Sequence, residues 1–382
     1  MKTIREADLN NKTVIVRFDY NVPIKDGVIM DDTRIIKSLK TLDYLLDNSK
    51  KVIILSHLGR IKTEEDKKDK SLRPVCDYLS KKINKKIAFC EYKNEQDIID
   101  NNDVIMMENT RFFDVDNNKE SDSDEELSKY FASFGDIFIN DAFGVSHREA
   151  ASNVGISKFL PSYNGFLIEE EINNLNKLIN DVKRPYTIIM GGAKVSDKIK
   201  IIDNLIDKVD YLLIGGGMVY TFLKAKGIEI GKSILEEEYV SNAKRLLDKY
   251  NDKIVLIEDN YIQDKSIKDI NNMSKDDIGY DIGPKTIEVF KGIINKSSTI
   301  FYNGPMGLFE EDYSYGTKEL CEALNNSKSI VVIGGGDTVN AVKEYVPDNK
   351  FIISTGGGAS LEYLEGKKLP GVFLWKRWRL IL

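Results

Sequence analysis

The stretch YTIIMGGAKVSDK, residues 186–198, decides the fold class. Its first five residues are an apolar run of strand length. A glycine pair, Gly191-Gly192, comes next, and a helical pattern takes over behind it. The same unit recurs on both sides. Downstream, strands are expected at 211–214, 253–257, 299–302, 329–333 and 351–354; upstream, at 13–18, 51–56, 104–107 and 136–139. Between them lie helical patterns of period 3.6. In residues 33–46, Ile35, Ile36, Leu39, Leu42, Leu45 and Leu46 fall on one face behind a cap signal of Asp31, Asp32 and Thr33. Strands alternating with helices specify an α/β fold with parallel sheets, here two doubly wound, Rossmann-like domains. Residues 166–182 read as one long helix, preceded by Pro161 and followed by Pro185, which suits a connector. The expected division is 1–165, a linking helix over 166–183, and 184–360.

The residues just past each strand differ between the halves. In the first half they are polar groups and arginines: Asp19 and Asn21, His57 and Arg60, Asn109 and Arg111, His147 and Arg148. In the second half they are glycines: Gly191-Gly192, Gly215–Gly217, Gly304, Gly334–Gly336 and Gly356–Gly358. Ligands of open α/β sheets sit beyond the carboxyl ends of the strands, so two sites of different chemistry are expected. Lysine outnumbers arginine 44 to 11, and five of those arginines (Arg17, Arg34, Arg60, Arg111, Arg148) lie at or near first-half strand ends. A planar guanidinium suits bidentate capture of phosphate or carboxylate, and Arg34 also opens a helix, whose amides favour an anion. Asp19 and Asn21 read either as an Asx turn, or as an acceptor for a substrate hydroxyl or a partner that orients those arginines. In the second half, Lys194 and Lys198 are expected on one helical face, where two ammonium groups would neutralise phosphoryl oxygens. Asp337 reads either as a helix cap or as a carboxylate for Mg²⁺ on a nucleotide.

Composition narrows the classes. With 382 residues, 55 Lys+Arg against 61 Asp+Glu and 42% hydrophobic residues, the chain is neither a disordered tract nor a strongly basic nucleic-acid binder. No interleaved aromatic pattern accompanies the arginines, and no apolar run approaches the ~18–20 residues of a membrane span. The opening MKTIREADLNNK has no apolar leader, so a cytoplasmic protein is expected. Cys76, Cys90 and Cys321 form no CxxC pair, against a zinc or disulfide scaffold. The charged stretches 64–70 and 114–126 read as solvated loops and helix starts. Gly231-Lys232-Ser233 resembles the end of a phosphate loop, but Lys226 occupies the required first glycine; Val339 and Leu361 likewise break G-x-G-x-x-G.

Ten stretches in order resemble the phosphoglycerate kinase family: VRFDYNVP (16–23), DDTR (31–34), HLGR (57–60), ENTRF (108–112), NDAFGVSHR (140–148), GGAKVSDK (191–198), DIGPKT (281–286), NGPMGLFE (303–310), GGGDT (334–338) and STGGGASLE (354–362). The resemblance implies transfer of a phosphoryl group between MgATP and 3-phosphoglycerate, giving 1,3-bisphosphoglycerate and MgADP, by a monomer with neither nucleic acid nor membrane as partner. It implies that Asp19, Tyr20, Asn21, Arg34, His57, Leu58, Gly59, Arg60, Arg111 and Arg148 bind the acid. Lys198, Gly279, Glu310, Gly336, Asp337, Thr338 and Val339 would bind the nucleotide, with Asp337 on its Mg²⁺. Arg34, Lys194, Gly357 and Gly358 would stabilise the group in transfer, after the domains close. It also implies that residues 361–382 return to the first domain.

The chain departs from the family pattern at Ile61 (proline), Ala150 (a second histidine) and Tyr302 (tryptophan), and residues 257–282 are short. The ending FLWKRWRLIL, 373–382, holds both tryptophans and reads as a docked tail, a basic-aromatic surface anchor or a sequence artefact. Two rival readings are an acyl-phosphate kinase of other fold and a non-catalytic scaffold; the retained Lys194, Lys198, Asp337 and Arg34 argue against the scaffold.

Overall fold

The structure is a computed structural model that describes residues 1–115, 117–180, 182–347 and 350–373. It resolves into two compact units, Met1–Ile172 with the chain from Lys368, and Asn173–Lys367. The linking helix is Phe166–Ile179, shorter than the 166–183 expected, and the division between units falls inside it. The chain rejoins the first unit at Lys368, not at 361. Residues 358–364 form a helix held in the second unit, where Asn204 Nδ2 donates to Leu364 O at 2.6 Å. Beyond Lys368, Asn140 Nδ2 donates to Gly371 O (2.7 Å), Asn164 Nδ2 to Val372 O (2.9 Å), and Leu369 and Val372 are buried. The rest of the ending, with Trp375 and Trp378, lies outside the described residues.

The first unit is a six-stranded parallel sheet: β1 (Thr13–Arg17), β2 (Lys51–Leu55), β3 (Ala88–Cys90), β4 (Val104–Met107), β5 (Ile137–Asn140) and β6 (Ser162–Asn164). The spatial order is β3-β4-β2-β1-β5-β6. Alternate residues feed two cores. Val14, Val16, Val52, Ile54, Val104 and Met106 pack with Ile35, Leu42 and Leu45 of the helix Thr33–Asn48. Ile15, Ile53, Leu55, Ile105, Met107 and Phe138 pack with Leu127 and Phe131 of the helix Glu125–Ala132 on the other face. Burial on both faces is why these strands read as unbroken apolar runs. Ile36 leaves the expected helix face and is 37% exposed; Thr41 is buried in that helix instead, and its hydroxyl accepts from Phe166 N at 3.0 Å.

The second unit contains β7 (Tyr186–Met190), β8 (Tyr211–Ile214), β9 (Ile254–Val255), β10 (Thr299–Asn303), β11 (Ile330–Ile333) and β12 (Ile352–Ile353), all parallel. Their order is β9-β8-β7-β10-β11-β12. Counted within the unit this is 3-2-1-4-5-6, the doubly wound order, with its switch point between β7 and β10. Sequence reading misses β3 and β6, three residues each, and a small antiparallel sheet of Ile267–Asp269, Asp259–Ile262 and Gly279–Ile282. The stretch 114–126 is largely exposed and a helix starts at Glu125, as expected, but two of its carboxylates are not solvated: Asp114 is 5% and Glu120 2% exposed. Asp114 accepts from Ser121, and Glu120 holds Thr110 and Ser152.

Candidate functional site

In the first unit the polar groups gather where the sheet order reverses, at the ends of β1, β2 and β5. Arg17, the last residue of β1, is 2% exposed. Its Nε donates to Ser152 Oγ at 2.9 Å, and its Nη1 donates to Phe18 O. Its Nη2 lies 3.2 Å from His57 Nδ1. Of the five arginines it therefore forms the floor of the cluster and leaves the outer positions to the others. Arg34 Nη1 donates to Asp19 Oδ2 at 2.8 Å and to Asn21 O at 3.2 Å. Asn21 Oδ1 accepts from Gly59 N at 2.9 Å, and Gly59 O accepts from Arg111. Arg148 Nε donates to His147 Nε2 at 3.2 Å, while Arg60 is exposed.

The electrostatics describe one cluster. His57 is held well below the usual histidine range by burial first, then by the charges of Arg17, Arg111, Arg34 and Arg148. Burial lowers Arg111, and the charges of Arg148 and Arg60 act in the same direction. All five guanidinium groups thus act on His57 or on Arg111. Such a concentration of guanidinium groups can attract and hold an anion.

Two expected contacts serve the scaffold. Tyr20 is fully buried: its hydroxyl meets Ser38 Oγ (2.9 Å), its N–H donates to Ser56 Oγ (2.8 Å) and its carbonyl accepts from Val22 N (2.8 Å). The Leu58 backbone is clasped by Asn109, whose Oδ1 accepts from Leu58 N (3.2 Å) and whose Nδ2 donates to Leu58 O (2.8 Å).

The second unit uses backbone instead. The turns after β7 and β10 press together across the switch point. Gly191 N donates to Asn303 O (2.9 Å) and Gly192 N to Pro305 O (2.8 Å). A Cβ on Gly304, whose φ is +100°, would sit 2.1 Å from Gly191 O. These amides are spent on each other, so Gly191-Gly192 does not offer them to a phosphate.

Lys194 and Lys198 do not share a helix face. The helix is Ile199–Leu205, and residues 191–198 are turn. Glu236 holds the turn open, taking Ser196 Oγ on Oε1 (2.6 Å) and Ser196 N on Oε2 (3.1 Å). Lys194 is exposed; Lys198, at the helix start, is half-buried and its ammonium donates to Asn303 Oδ1. Asn303 Nδ2 in turn donates to Gly334 O at 2.7 Å. Burial lowers the Lys198 pKa against the charges of Asp197 and Asp337.

Asp337 is exposed in the first turn of the helix Gly336–Val342. Thr338 is 1% exposed, and its hydroxyl accepts from Gly304 N at 2.6 Å, so it closes the turn after β10. Gly357 has φ +49°, and Gly358 opens the helix Gly358–Leu364. Glu310 is exposed in the turn Phe309–Glu311. Gly279 lies in the small antiparallel sheet, its N–H donating to Ser233 Oγ (3.0 Å), with Tyr220 where a Cβ would be.

The sequence model described as phosphoglycerate kinase matches residues 4–367. The chain belongs to the phosphoglycerate kinase family. It is 49% identical to phosphoglycerate kinase of Enterococcus faecalis, over 97% of this chain and 98% of that one. Among solved structures it is similar to phosphoglycerate kinase from Coxiella burnetii, with TM-score 0.88, 35% identity and coverage of 97% and 98%. It is also similar to that of Pyrococcus horikoshii, with TM-score 0.82, 29% identity and coverage of 98% of each chain. No helix among the described residues is long and apolar enough to cross a membrane.

For a phosphoglycerate kinase, the residues that sequence reading leaves unassigned are those beneath the site: Ser56, Asn109, Glu120, Ser152 and Asn303. Asn109 and Asn303 stand inside the ENTRF and NGPMGLFE stretches, a signal that could mark them. Glu120 and Ser152 carry no local signal, because they meet only through tertiary contact.

Proposed function

We propose that the chain catalyses reversible phosphoryl transfer between MgATP and the carboxylate of 3-phosphoglycerate, giving 1,3-bisphosphoglycerate and MgADP. The observation that carries this reading is the cluster of five guanidinium groups at His57 and Arg111, which outnumbers the carboxylates Asp19, Asp114 and Glu120 that act on it. A small guest with both phosphate and carboxylate matches that charge. Arg60, Arg111 and Arg148 would take its anionic groups, His57 would hydrogen-bond it, and Asp19 and Asn21 would orient Arg34 and the loop at Gly59. In the second unit, Lys198 would neutralise phosphate oxygens, and Gly279, Glu310, Gly336, Thr338 and Val339 would frame the nucleotide.

The acceptor carboxylate is already a nucleophile, so no general base is needed; positioning and charge neutralisation suffice. Arg34, Lys194 and the Gly357 and Gly358 amides would meet the charge of the group in transfer. Among the described residues no cluster of three or more carboxylate, histidine or cysteine side chains could hold a metal alone. An exposed Asp337 would suit Mg²⁺ held chiefly by nucleotide phosphates, whose charge the ion would neutralise. Transfer would be direct and in line after the units close, by a monomer in the cytoplasm.

A coupled assay tests the reading. ADP formation that requires both ATP and 3-phosphoglycerate is expected. No turnover, or faster turnover with a different acyl phosphate, overturns it. Inversion at a chiral γ-phosphorus is expected for a single direct transfer; retention would refute that step. Light scattering checks the monomer.

A further inference from the structure

We propose that Ser152 and Glu120 are positioning residues for the acid pocket: through Arg17 they hold the His57 ring neutral with its proton on Nε2, so that it meets an anionic guest as a hydrogen-bond donor. The proposal rests on the reading that phosphoglycerate is the guest of the first unit.

The network is continuous and buried. Glu120 is 2% exposed, Ser152 0%, Arg17 2% and His57 3%. Glu120 Oε1 accepts from the Thr110 hydroxyl (3.0 Å) and from the Ser152 hydroxyl; Oε2 accepts from Ser152 N (2.9 Å). With its proton given to Glu120, Ser152 Oγ can only accept, and Arg17 Nε donates to it at 2.9 Å. A guanidinium has donors and no acceptor. Arg17 Nη2, 3.2 Å from His57 Nδ1, therefore makes that nitrogen the acceptor and leaves the ring proton to Nε2.

The rival partner does not reverse this. Asp19 Oδ1 is 3.9 Å from the same Nδ1, beyond hydrogen-bond range, and its other oxygen is taken by Arg34 at 2.8 Å. The charged groups that act on the ring are Arg17 from β1, Asp19 just beyond it, Arg34 from the helix Thr33–Asn48, Arg111 from the turn after β4, and Arg148 after β5. Four cations oppose an imidazolium and outweigh the one carboxylate that favours it. Glu120 supplies what Arg17 needs in order to stay buried with its fork aimed at the ring: a countercharge, reached through Ser152 on its far side. Without the hydroxyl, the Nε donor is orphaned and the guanidinium loses its anchor.

The chain has only two histidines, His57 and His147, so imidazole ¹⁵N NMR is readily assigned with a His147→Gln variant. In the wild type, the Nε2–H pattern is expected for His57 at pH 7, persisting below the ~6.5 at which a free histidine protonates. In Ser152→Ala the pattern should shift toward Nδ1–H or imidazolium. The KM for 3-phosphoglycerate should rise roughly two- to tenfold, while that for ATP stays put. Ser152→Thr should restore both, and Glu120→Gln should act in the same direction as Ser152→Ala. An Nδ1–H or charged ring in the wild type overturns the proposal. So does a folded Ser152→Ala that keeps the wild-type ring pattern, whatever its KM, or one with an altered ring and unchanged KM. Should Glu120→Gln fail to fold, Ser152→Ala decides. If the wild type does not turn over 3-phosphoglycerate, the functional reading fails, while the NMR still judges the network.

Discussion

The two units place their candidate residues at the same location, the carboxyl ends of a doubly wound parallel sheet, and build them from opposite materials. The first uses long charged side chains standing on a buried polar floor: Arg17, Ser152, Glu120 and Asn109 hold the groups that His57, Arg34 and Arg111 present. The second uses bare backbone: Gly191 and Gly304 approach so closely that no Cβ fits between them. The difference fits the guests proposed for each. A small, compact, multiply charged acid is gripped by directional forks that converge from several strands. A nucleotide with a long phosphate chain would be met by the ammonium groups of Lys194 and Lys198 and by the backbone at Gly336, Gly357 and Gly358, while the contact of Gly191 with Gly304 packs one turn on the other.

The contrast makes mutational predictions, the largest in catalysis. Arg34→Ala and Lys194→Ala should each lower kcat about 100- to 1000-fold, the usual cost of losing a donor to transition-state charge, with an unchanged melting temperature. Near-normal kcat in either would remove that residue from the transfer step. Gly304→Ala comes next. Its φ of +100° and a Cβ 2.1 Å from Gly191 O should cost about 3 kcal/mol or more, read by denaturant unfolding. Near-wild-type stability would show that the two turns can part. In the first unit the matching damage is a lost side chain. Asn109→Ala removes donors to Leu58 O (2.8 Å) and Lys70 O (2.9 Å) and strands Leu58 N and Arg111 N. It should cost about 2 kcal/mol and raise the KM for 3-phosphoglycerate more than that for ATP.

The smallest effect is in pH dependence, where two buried groups oppose each other. His57 stays neutral in the fold but protonates in the unfolded chain below about 6.5, so its contribution to stability is lost as pH falls through that value. Asp281 in the second unit is pushed up to about 7 by burial, even though its oxygens accept from Ile282 N and Gly316 N. Between the usual carboxylate range and about 7 the folded chain keeps a proton that the unfolded one releases, so stability falls as pH rises through that window. His57→Gln should flatten the first slope and Asp281→Asn the second, in urea unfolding followed against pH. Unchanged slopes would show that other groups set the dependence.

Most long strands are legible because burial on both sheet faces leaves an apolar run that needs no tertiary information, as at Tyr186–Met190. The short polar strands Asp259–Ile262, Ile267–Asp269 and Gly279–Ile282 have no such run, and only their antiparallel pairing makes them strands. The helix expected from Lys194 waits until Ile199 because Glu236, distant in sequence, captures Ser196 first. The site shows the same split. Arg34, Arg111 and Asp337 stand in recognisable stretches, and the sequence alone determined the α/β class, the two halves, and the arginines beyond the strands of one and the glycines beyond those of the other. Only the tertiary structure decided that the Tyr20 hydroxyl meets Ser38 and the Thr338 hydroxyl accepts from Gly304 N, that Glu120 lies buried in a stretch that reads as solvated, and that Ser152 links it to Arg17. Periodicity and residue type are local properties of a chain, whereas a buried polar group is placed by whichever partner the folded backbone brings to it, and that partner has no fixed distance in sequence.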